Sequence, residues 1–344
     1  MVYDQLPFVS LIVPMKNEEL FIEKCLQSMV NQDYPTNRFE VIVFDGLSED
    51  NSWEIAKKFN KVIENFLLCS NPKVSQSSAW NAGIVIAKGK IIGIVSAHAE
   101  LAEDYISNAV ETLIRTGADL VGGPTNAIAE GELSRAIAES LNSPFGVGDA
   151  QFHYTEKEIK TDTVFMGLCW KSLYEKIGGF DEDMIRNQDD EFSYRLLKNG
   201  GRIICNPKIK SKYYSRSSLN GLWKQYFQYG FYKVRVLQKH PAQMRLRQFI
   251  PFLFIMGLSF SVILSLIHPF GWIILGLVTG SYLFLNIGFS VLIAKKQGWK
   301  LLFYLPLAFI IMHVGYGVGF LMGLMKFMNR WGDRQGKVPR FTFS

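Results

Sequence analysis

The sequence has few cysteines and no closely spaced pair of them. The four residues, Cys25, Cys69, Cys169 and Cys205, are scattered without a Cys-x-x-Cys motif. This argues against a zinc site or a disulfide framework and favours a reducing compartment. A signal peptide is also missing, since an apolar strand pattern begins almost at once. We therefore expect the N-terminal part of the chain to stay in the cytosol.

Long apolar runs are missing up to about residue 248, and three of them follow. They cover residues 249–267, 270–294 and 302–327. As helices they are at least roughly 28 Å long, so each could span a bilayer. We divide the chain into an N-terminal domain (1–240), a membrane domain (241–330) and a basic tail (331–344).

Acidic residues are missing from residues 233–247, a segment with five lysines or arginines. They precede the first apolar block, which favours anionic lipid head groups as partners over a merely solvated helix face. The formal net charge of +6 comes without any nucleic-acid motif, so no nucleic-acid partner is expected.

The basic residues around the apolar blocks predict a multi-pass protein with the N-terminal domain inside. Blocks one and two meet at His268 and Pro269 and form a hairpin that the positive-inside rule permits. Three full spans would place the basic tail outside, so one block is re-entrant or interfacial, and the sequence leaves open which. Block three contains Gly315-x-x-x-Gly319, which permits close helix packing and, as one option, a homo-oligomer.

The first hundred residues alternate between strand and helix patterns. The predicted strands cover residues 8–14, 39–44, 62–66 and 90–95. This alternation predicts an α/β fold with a doubly wound, mostly parallel sheet, whose ligands bind at the carboxyl ends of the strands. Residues 142–163 lack a clear pattern, and we expect them to cover the site as a loop or lid.

Polar residues at these strand ends are candidates for nucleotide binding. Asp45 could accept the ring N–H of uracil, and Gly46 lets the backbone pass close to a ligand; the alternative is an Asp-Gly turn that caps a helix. Glu18 is either a helix-terminus charge or a nucleotide contact. His98, in the segment Ser-Ala-His-Ala-Glu, is either a metal ligand or a structural histidine.

The strongest chemical signal is the run Asp189, Asp190 and Glu191. An inverting sugar transfer needs one carboxylate to take a proton from the acceptor hydroxyl. Adjacent residues on a helix point in different directions, so at most two of the three can face one site. The alternative is an acid-rich helix N-terminus. Further along, Arg216, Gln225 and Lys233 stand among aromatic residues and either meet a diphosphate and sugars or belong to an interfacial helix.

These motifs in order resemble glycosyltransferase family 2. They are VSLIVPMKNEE, VIVFDGLSEDNS, QSSAWNAGIVIAKG, SAHAEL, GGFDEDMIRNQDDEFSYRL and QYFQYGFYK. The likeness covers roughly residues 8–240 and is greatest to exopolysaccharide enzymes of the succinoglycan ExoA type.

The resemblance implies a GT-A fold, a UDP-sugar donor, Mg²⁺ or Mn²⁺, and an inverting mechanism. It implies that Asp189 is the base and that His98 is the metal ligand. The predicted nucleotide-binding residues are Pro14, Glu18, Asp45, Gly46, Lys73, Ser96, Arg216, Gln225 and Lys233. The implied acceptor is a lipid-linked or membrane-bound glycan, at the cytosolic face of the plasma membrane.

One position departs from the family pattern. Ser96 stands where relatives carry the first aspartate of Asp-x-Asp or Asp-Ala-His, and a serine supplies no charge. This departure leaves open a catalytically silent scaffold that binds nucleotide-sugars. A separate alternative is a polyprenyl-phosphate sugar synthase, which needs no strong base because its acceptor is the lipid phosphate.

Overall fold

The computed structural model of the protein describes residues 6–128, 131–148, 150–153, 155–214, 218–333 and 336–343. The strands are β1 (Val9–Met15), β2 (Phe39–Asp45), β3 (Phe66–Ser70), β4 (Ile91–Ile94), β5 (Ala99–Leu101), β6 (Leu120–Gly123), β7 (Asn126–Ile128), β8 (Ile159–Lys160), β9 (Phe165–Trp170), β10 (Ile203–Cys205) and β11 (Ser211–Tyr214). The helices are α1 (Ile22–Val30), α2 (Ser52–Lys58), α3 (Gln76–Ile86), α4 (Tyr105–Thr116), α5 (Glu132–Leu141), α6 (Pro144–Val147), α7 (Ser172–Ile177), α8 (Gln188–Lys198), α9 (Leu219–Lys239), α10 (Leu246–Ile267), α11 (Phe270–Gln297) and α12 (Leu305–Lys326).

A central sheet has the strand order β3-β2-β1-β4-β9-β6-β10-β8. Strands β3, β2, β1 and β4 are parallel, which confirms the predicted doubly wound α/β sheet. β9 runs antiparallel between β4 and β6, so the sheet is mixed. Two apolar clusters cover its two faces, and this explains why β1 and β2 read as continuous apolar runs.

The third predicted strand was misplaced by about four residues. Residues Phe59–Lys61 form a 3-10 turn, and the strand begins only at Phe66. Val62 is largely exposed, so its apolar character marks no buried strand. β3 lies at the edge of the sheet and contains exposed and half-buried residues. Such a strand gives a weaker sequence signal than the continuous apolar run of a buried strand.

The chain forms two compact units. Unit 1 contains residues 1–126, 151–214 and 336–344, and unit 2 contains residues 127–150 and 215–335. Unit 1 holds the central sheet, and it also includes the segment that follows all three apolar helices. Unit 2 holds α9 as well as the apolar helices, because α9 packs along α12.

Unit 2 contains three helices that are long and apolar enough to cross a membrane: α10, α11 and α12. Their positions agree with the three apolar blocks of the sequence. The glycine stripe of α12 packs within the chain. A Cβ atom on Gly319 would clash with the carbonyl oxygen of Phe227 in α9, and one on Gly317 would clash with that of Pro251 in α10. The stripe therefore gives no support to a homo-oligomer.

Candidate active site

The loops that follow β1 and β2 are fastened to each other by hydrogen bonds. The backbone N–H of Asn17 donates to Ser48 Oγ (2.9 Å), and that of Glu49 donates to Asn17 Oδ1 (2.9 Å). The N–H of Glu18 donates to Ser52 Oγ (2.7 Å). Because side-chain oxygens satisfy these amides, the loop holds Glu18 in a defined position at the carboxyl edge of the sheet.

Three predicted site residues meet in one hydrogen-bonded chain. His98 Nδ1 lies 2.9 Å from Glu18 Oε1, and His98 Nε2 lies 3.2 Å from Ser96 Oγ. Glu18 follows β1, whereas Ser96 and His98 follow β4, the strand beside it. A carboxylate on one ring nitrogen favours a proton there and leaves the other nitrogen able to accept. The chain therefore couples the serine hydroxyl to a carboxylate through an imidazole.

Aromatic residues that our sequence reasoning missed surround His98. Its ring makes edge-on contacts with Phe21 (6.5 Å between centroids) and Tyr213 (5.1 Å). Next to them Tyr214 donates its hydroxyl to Glu100 and lies under Lys24, whose Nζ is 5.0 Å from the ring centroid. Burial, followed by the hydrogen bond to Glu100, raises the pKa of Tyr214. These contacts restrict the orientation of the histidine ring.

Asp45 ends β2, and its carboxylate is already engaged. It accepts hydrogen bonds from the N–H (3.1 Å) and the hydroxyl (2.5 Å) of Ser48. The residue is almost fully buried. Gly46 follows and donates its N–H to the carbonyl of Met15 (2.8 Å), which joins β2 to the end of β1 just beyond Pro14. Asp45 thus shapes the turn at this strand end but does not cap α2, whose N-cap is Asn51, and its role toward a nucleotide stays a prediction.

The three acids at the start of α8 have different surroundings. Asp189 is exposed, Asp190 is partly buried and Glu191 is buried. Glu191 binds Arg195 through both carboxylate oxygens, at 2.6 and 2.9 Å. Because this pair occupies Glu191, we assign it a structural part and keep Asp189 as the candidate base.

Arg195 also holds the loop that precedes α8. Its guanidinium donates to the carbonyls of Ile177 and Gly179, the latter at 2.6 Å. Glu182, in the same loop, accepts from Lys73 Nζ (2.9 Å) and from Asn81 Nδ2 (3.2 Å). Burial alone would raise the pKa of Glu182, but these hydrogen bonds outweigh it, and the pKa lies below its ordinary value. Lys73, a predicted nucleotide contact, is therefore an ion-pair partner of this loop.

Backbone strain accompanies the predicted site residues. Among the described residues other than glycine, a positive φ occurs at Asn17 (54°), Leu47 (60°), Val74 (58°), Met166 (47°) and Asn187 (62°). Asn17, Leu47 and Val74 are direct neighbours of the predicted site residues Glu18, Gly46 and Lys73. Asn187 precedes Asp189 by two residues. The sulfur atom of Met166 accepts a hydrogen bond from the N–H of Ser96. Such strain is costly, especially for a β-branched residue, and collects at functional sites.

The remaining predicted site residues lie elsewhere. Gln225 and Lys233 are on α9, in unit 2, where Gln225 donates to Tyr229 (2.9 Å) and Lys233 is buried. Arg216 is outside the described residues. Of the predicted lid, residues 151–153 and 155–163 are described as part of unit 1 and residues 142–148 as part of unit 2. Its covering role stays a prediction.

Comparison with known proteins identifies the family. The glycosyl transferase family 2 profile matches residues 10–178. A Methanococcus voltae protein is 34% identical over 327 residues, which are 93% of this chain and 98% of the relative; it is described as a dolichyl N-acetyl-alpha-D-glucosaminyl phosphate 3-beta-D-2,3-diacetamido-2,3-dideoxy-beta-D-glucuronosyltransferase. The chain belongs to glycosyltransferase family 2. It is a glycosyltransferase, as the sequence motifs predicted.

Other relatives agree with this family and fold. The succinoglycan biosynthesis protein ExoA of Rhizobium meliloti is 29% identical over 93% of this chain and 96% of its own length. Among solved structures, the mannosyltransferase PcManGT from Pyrobaculum calidifontis, in complex with GDP-Man and Mn²⁺, has a TM-score of 0.56 at 19% identity over 91% of this chain and 88% of its own. Residues 1–349 of S. aureus TarS give 0.51 at 18% identity, with 97% of both chains covered. The predicted GT-A fold is confirmed.

Proposed function

We propose that this enzyme transfers one sugar, with inversion, from a UDP-sugar to a lipid-linked or membrane-bound glycan. The product would be an exopolysaccharide or another cell-surface glycan. The observation that carries the proposal is the near full-length match to a relative whose described acceptor is a sugar on a dolichyl phosphate. The ExoA match, which also includes the apolar helices, supports polysaccharide synthesis.

On the donor side, the strand-end loops supply a nucleotide pocket in this proposal. Asp45 and Glu18 hold the nucleoside, while Ser96 Oγ and His98 Nε2 stand at the position of the diphosphate. An acid that accepts the ring N–H of uracil favours UDP. The GDP-Man bound in the PcManGT structure shows that a mannosyltransferase of similar fold binds a donor with a different nucleobase, guanine.

The residues present fit a divalent cation only if the donor diphosphate supplies some of its ligands. Within the described ranges, no three His, Cys, Asp or Glu side chains are grouped closely enough to hold a metal ion by themselves. An imidazole nitrogen is a good ligand for Mn²⁺, and a hydroxyl is a weak one. His98 and Ser96 would therefore hold Mg²⁺ or Mn²⁺ together with the diphosphate of the donor. When bound, the ion neutralises charge on the leaving group.

On the acceptor side, Asp189 is the base. Its carboxylate takes the proton of the acceptor hydroxyl while that oxygen bonds to the anomeric carbon from the side opposite the diphosphate. The bond between the anomeric carbon and the phosphate oxygen breaks, and UDP leaves. Asp189 is the most exposed of the three adjacent acids, which suits a group that must reach an acceptor.

We further propose that α10 and α11 cross the plasma membrane as a hairpin and that α12 does not cross it. Residues 336–343 pack into unit 1, so the chain must return to the side from which it left. An even number of crossings follows. In its most apolar window α12 is 44% buried by protein, compared with 6% for α10 and 17% for α11. Lys295 and Lys296 in the last turn of α11, and Lys300 after it, support a cytosolic location for this side by the positive-inside rule.

Release of UDP by the purified full-length protein tests the proposed reaction. The assay would use nanodiscs, a panel of UDP-sugars, Mn²⁺, and a lipid extract as acceptor. We expect acceptor-dependent release that falls about 10²–10⁴-fold in Asp189→Asn, because the base is lost. Glu54→Gln, at an exposed acid of α2, is the matched control.

Other outcomes point to the other functions. Release that survives Asp189→Asn would indicate a phosphate acceptor, whose oxygen needs no base. UDP binding without release, when a GDP-sugar panel also fails, would indicate the silent scaffold. Release from a GDP-sugar alone would correct the donor and keep the reaction.

A further inference from the structure

The segment of residues 336–343, here called the tail segment, is built into unit 1. Its backbone pairs with the loop of residues 178–182. Lys337 N–H donates to Asp181 Oδ1 (2.8 Å), and Glu182 N–H donates to the Lys337 carbonyl (3.1 Å). The N–H of Gly179 donates to the Pro339 carbonyl (2.9 Å). Three hydrogen bonds over so few residues make the segment an added edge of this loop.

The last four side chains of the tail segment, residues 340–343, alternate between exposed and half-buried positions. Phe341 and Phe343 stack on each other (5.7 Å between centroids) and pack against the apolar cluster that contains Trp80 and Phe180. Phe343 also lies under Lys171 Nζ (4.3 Å to its centroid). Arg340, which precedes Phe341, and Thr342, which lies between the two phenylalanines, are exposed. This period of two is that of an extended strand with one buried face.

Gly179 connects the tail segment to α8, here called the base helix because it carries Asp189. The N–H of Gly179 donates to the tail segment, and its carbonyl oxygen accepts a hydrogen bond from the guanidinium of Arg195 (2.6 Å). Arg195 in turn binds Glu191. Glu191 lies on α8 two residues after Asp189. The two glycines of the loop also leave room for the tail: a Cβ on Gly178 would come within 2.6 Å of Val338, and one on Gly179 within 2.7 Å of Phe341.

We propose that the tail segment is a positioning element for the base helix, a role that rests on the proposed part of Asp189. By fixing the loop of residues 178–182 it fixes Arg195 and, through Glu191, the first turn of α8. A displacement of about 1 Å at a reacting group can cost about 10²-fold in rate. None of the contacts described above for the tail segment reaches Asp45 or Glu18, and its one connection to a predicted nucleotide contact is the exposed pair of Lys73 with Glu182. We therefore expect UDP binding to change little when the segment is disturbed.

The double variant Phe341→Ala/Phe343→Ala of the full-length enzyme tests this role. We expect kcat to fall between about 10- and 100-fold while the Kd for UDP changes less than about twofold. Amide hydrogen exchange should increase in residues 178–198 and stay unchanged in β1 and β2. Arg340→Ala/Thr342→Ala, on the exposed side of the same segment, should change none of these. Phe341→Leu/Phe343→Leu, which keeps an apolar face, should recover most of kcat.

Two results would overturn the proposal. One is an unchanged kcat with unchanged exchange in residues 178–198. The other is a parallel loss of kcat, UDP affinity and protection throughout unit 1, which would make the two phenylalanines general core residues. Exchange is readable without turnover, so failure of the proposed reaction in the wild type would not obscure this test.

Discussion

Glu191→Gln separates the buried acid of α8 from Asp189, the proposed base. The side chains of Glu191 and Arg195 are 1% and 12% exposed, so solvent screens their ion pair weakly. Removing one charge of a buried pair typically costs about 3–5 kcal/mol, because the other charge stays buried without its partner. Unit 1 has about 200 residues, and each kcal/mol shifts the Tm of such a domain by about 2–4 °C. We expect a Tm lower by roughly 6–20 °C.

Thermal unfolding followed by tryptophan fluorescence in detergent measures this shift. UDP release is measured in parallel at a temperature well below the lower Tm. Glu191→Gln weakens the link that positions the first turn of α8, so its kcat there should fall no more than about 10- to 100-fold. Asp189→Asn should lose about 10²–10⁴-fold in kcat and keep its Tm within about 2 °C, since an exposed acid contributes little to stability. Glu54→Gln, whose exposed pair with Lys57 spans 4.0 Å, is the control for an ion pair without burial.

The reasoning would be refuted by the reverse pattern. If Glu191→Gln kept its Tm and lost kcat, the buried pair would be a catalytic group, and the assignment of the three acids would change. A large loss of Tm in Asp189→Asn would show that the first turn of α8 depends on that carboxylate for folding.

Three other predictions use different parts of the chain. Once the half-buried Cys69 is replaced by serine, burial keeps the thiol pKa of the other three cysteines at about 12, so only a newly introduced cysteine should react with maleimide. An impermeant maleimide should label Thr342→Cys from the cytosolic face and His268→Cys from the opposite face. Labelling of both variants from one face would exclude the hairpin. The folded pKa of Glu182 lies below its ordinary value of 4.5, so its stabilisation is present above pH 4.5 and is lost as the pH falls through the folded pKa. Glu182→Gln should lower Tm by about 1–3 °C at pH 7 and by progressively less as the pH falls below 4.5, and a difference in Tm that does not shrink with falling pH would contradict this. Gly319→Leu should separate α9 from α12 and lower Tm without changing the oligomeric state measured by light scattering. Gly276→Leu is the control, because a Cβ atom added there would meet no atom within 4 Å, and it should leave Tm and the oligomeric state unchanged. Loss of a dimer in Gly319→Leu would show that the glycine stripe also joins chains.

Sequence periodicity predicted the elements with strong signals. β1 and β2 are buried on both faces, and their apolar runs identified them together with the strand ends where Glu18, Asp45 and His98 lie. The contact between Glu18 and His98 was not predictable in this way, because the residues are 80 positions apart and meet only through the register of β1 with β4. Helical spacing showed that the three acids of α8 diverge. It could not show which of them packs inward, because that depends on the neighbours of the helix.

The tail segment was missed for a similar reason. In the sequence it was recognised only as part of a basic tail, and eight residues are too few for a periodic signal to stand out. The alternation of Phe341 and Phe343 with exposed Arg340 and Thr342 was the available clue. Aromatic neighbours of His98 such as Tyr213 were missed because β5 and β11 are short strands that pair across more than a hundred residues.

The discontinuity of unit 1 has a consequence for biosynthesis. A ribosome makes residues 336–343 only after α10, α11 and α12, so a nascent chain cannot complete the cluster around Phe341 and Phe343 until its apolar helices have been synthesised. Until then Gly179 lacks its backbone partner, and the loop ahead of α8 lacks its outer edge. A chain interrupted within the apolar helices would thus carry an incomplete fold in unit 1, which holds the candidate site, and exposed aromatic surface there would mark it for proteolysis.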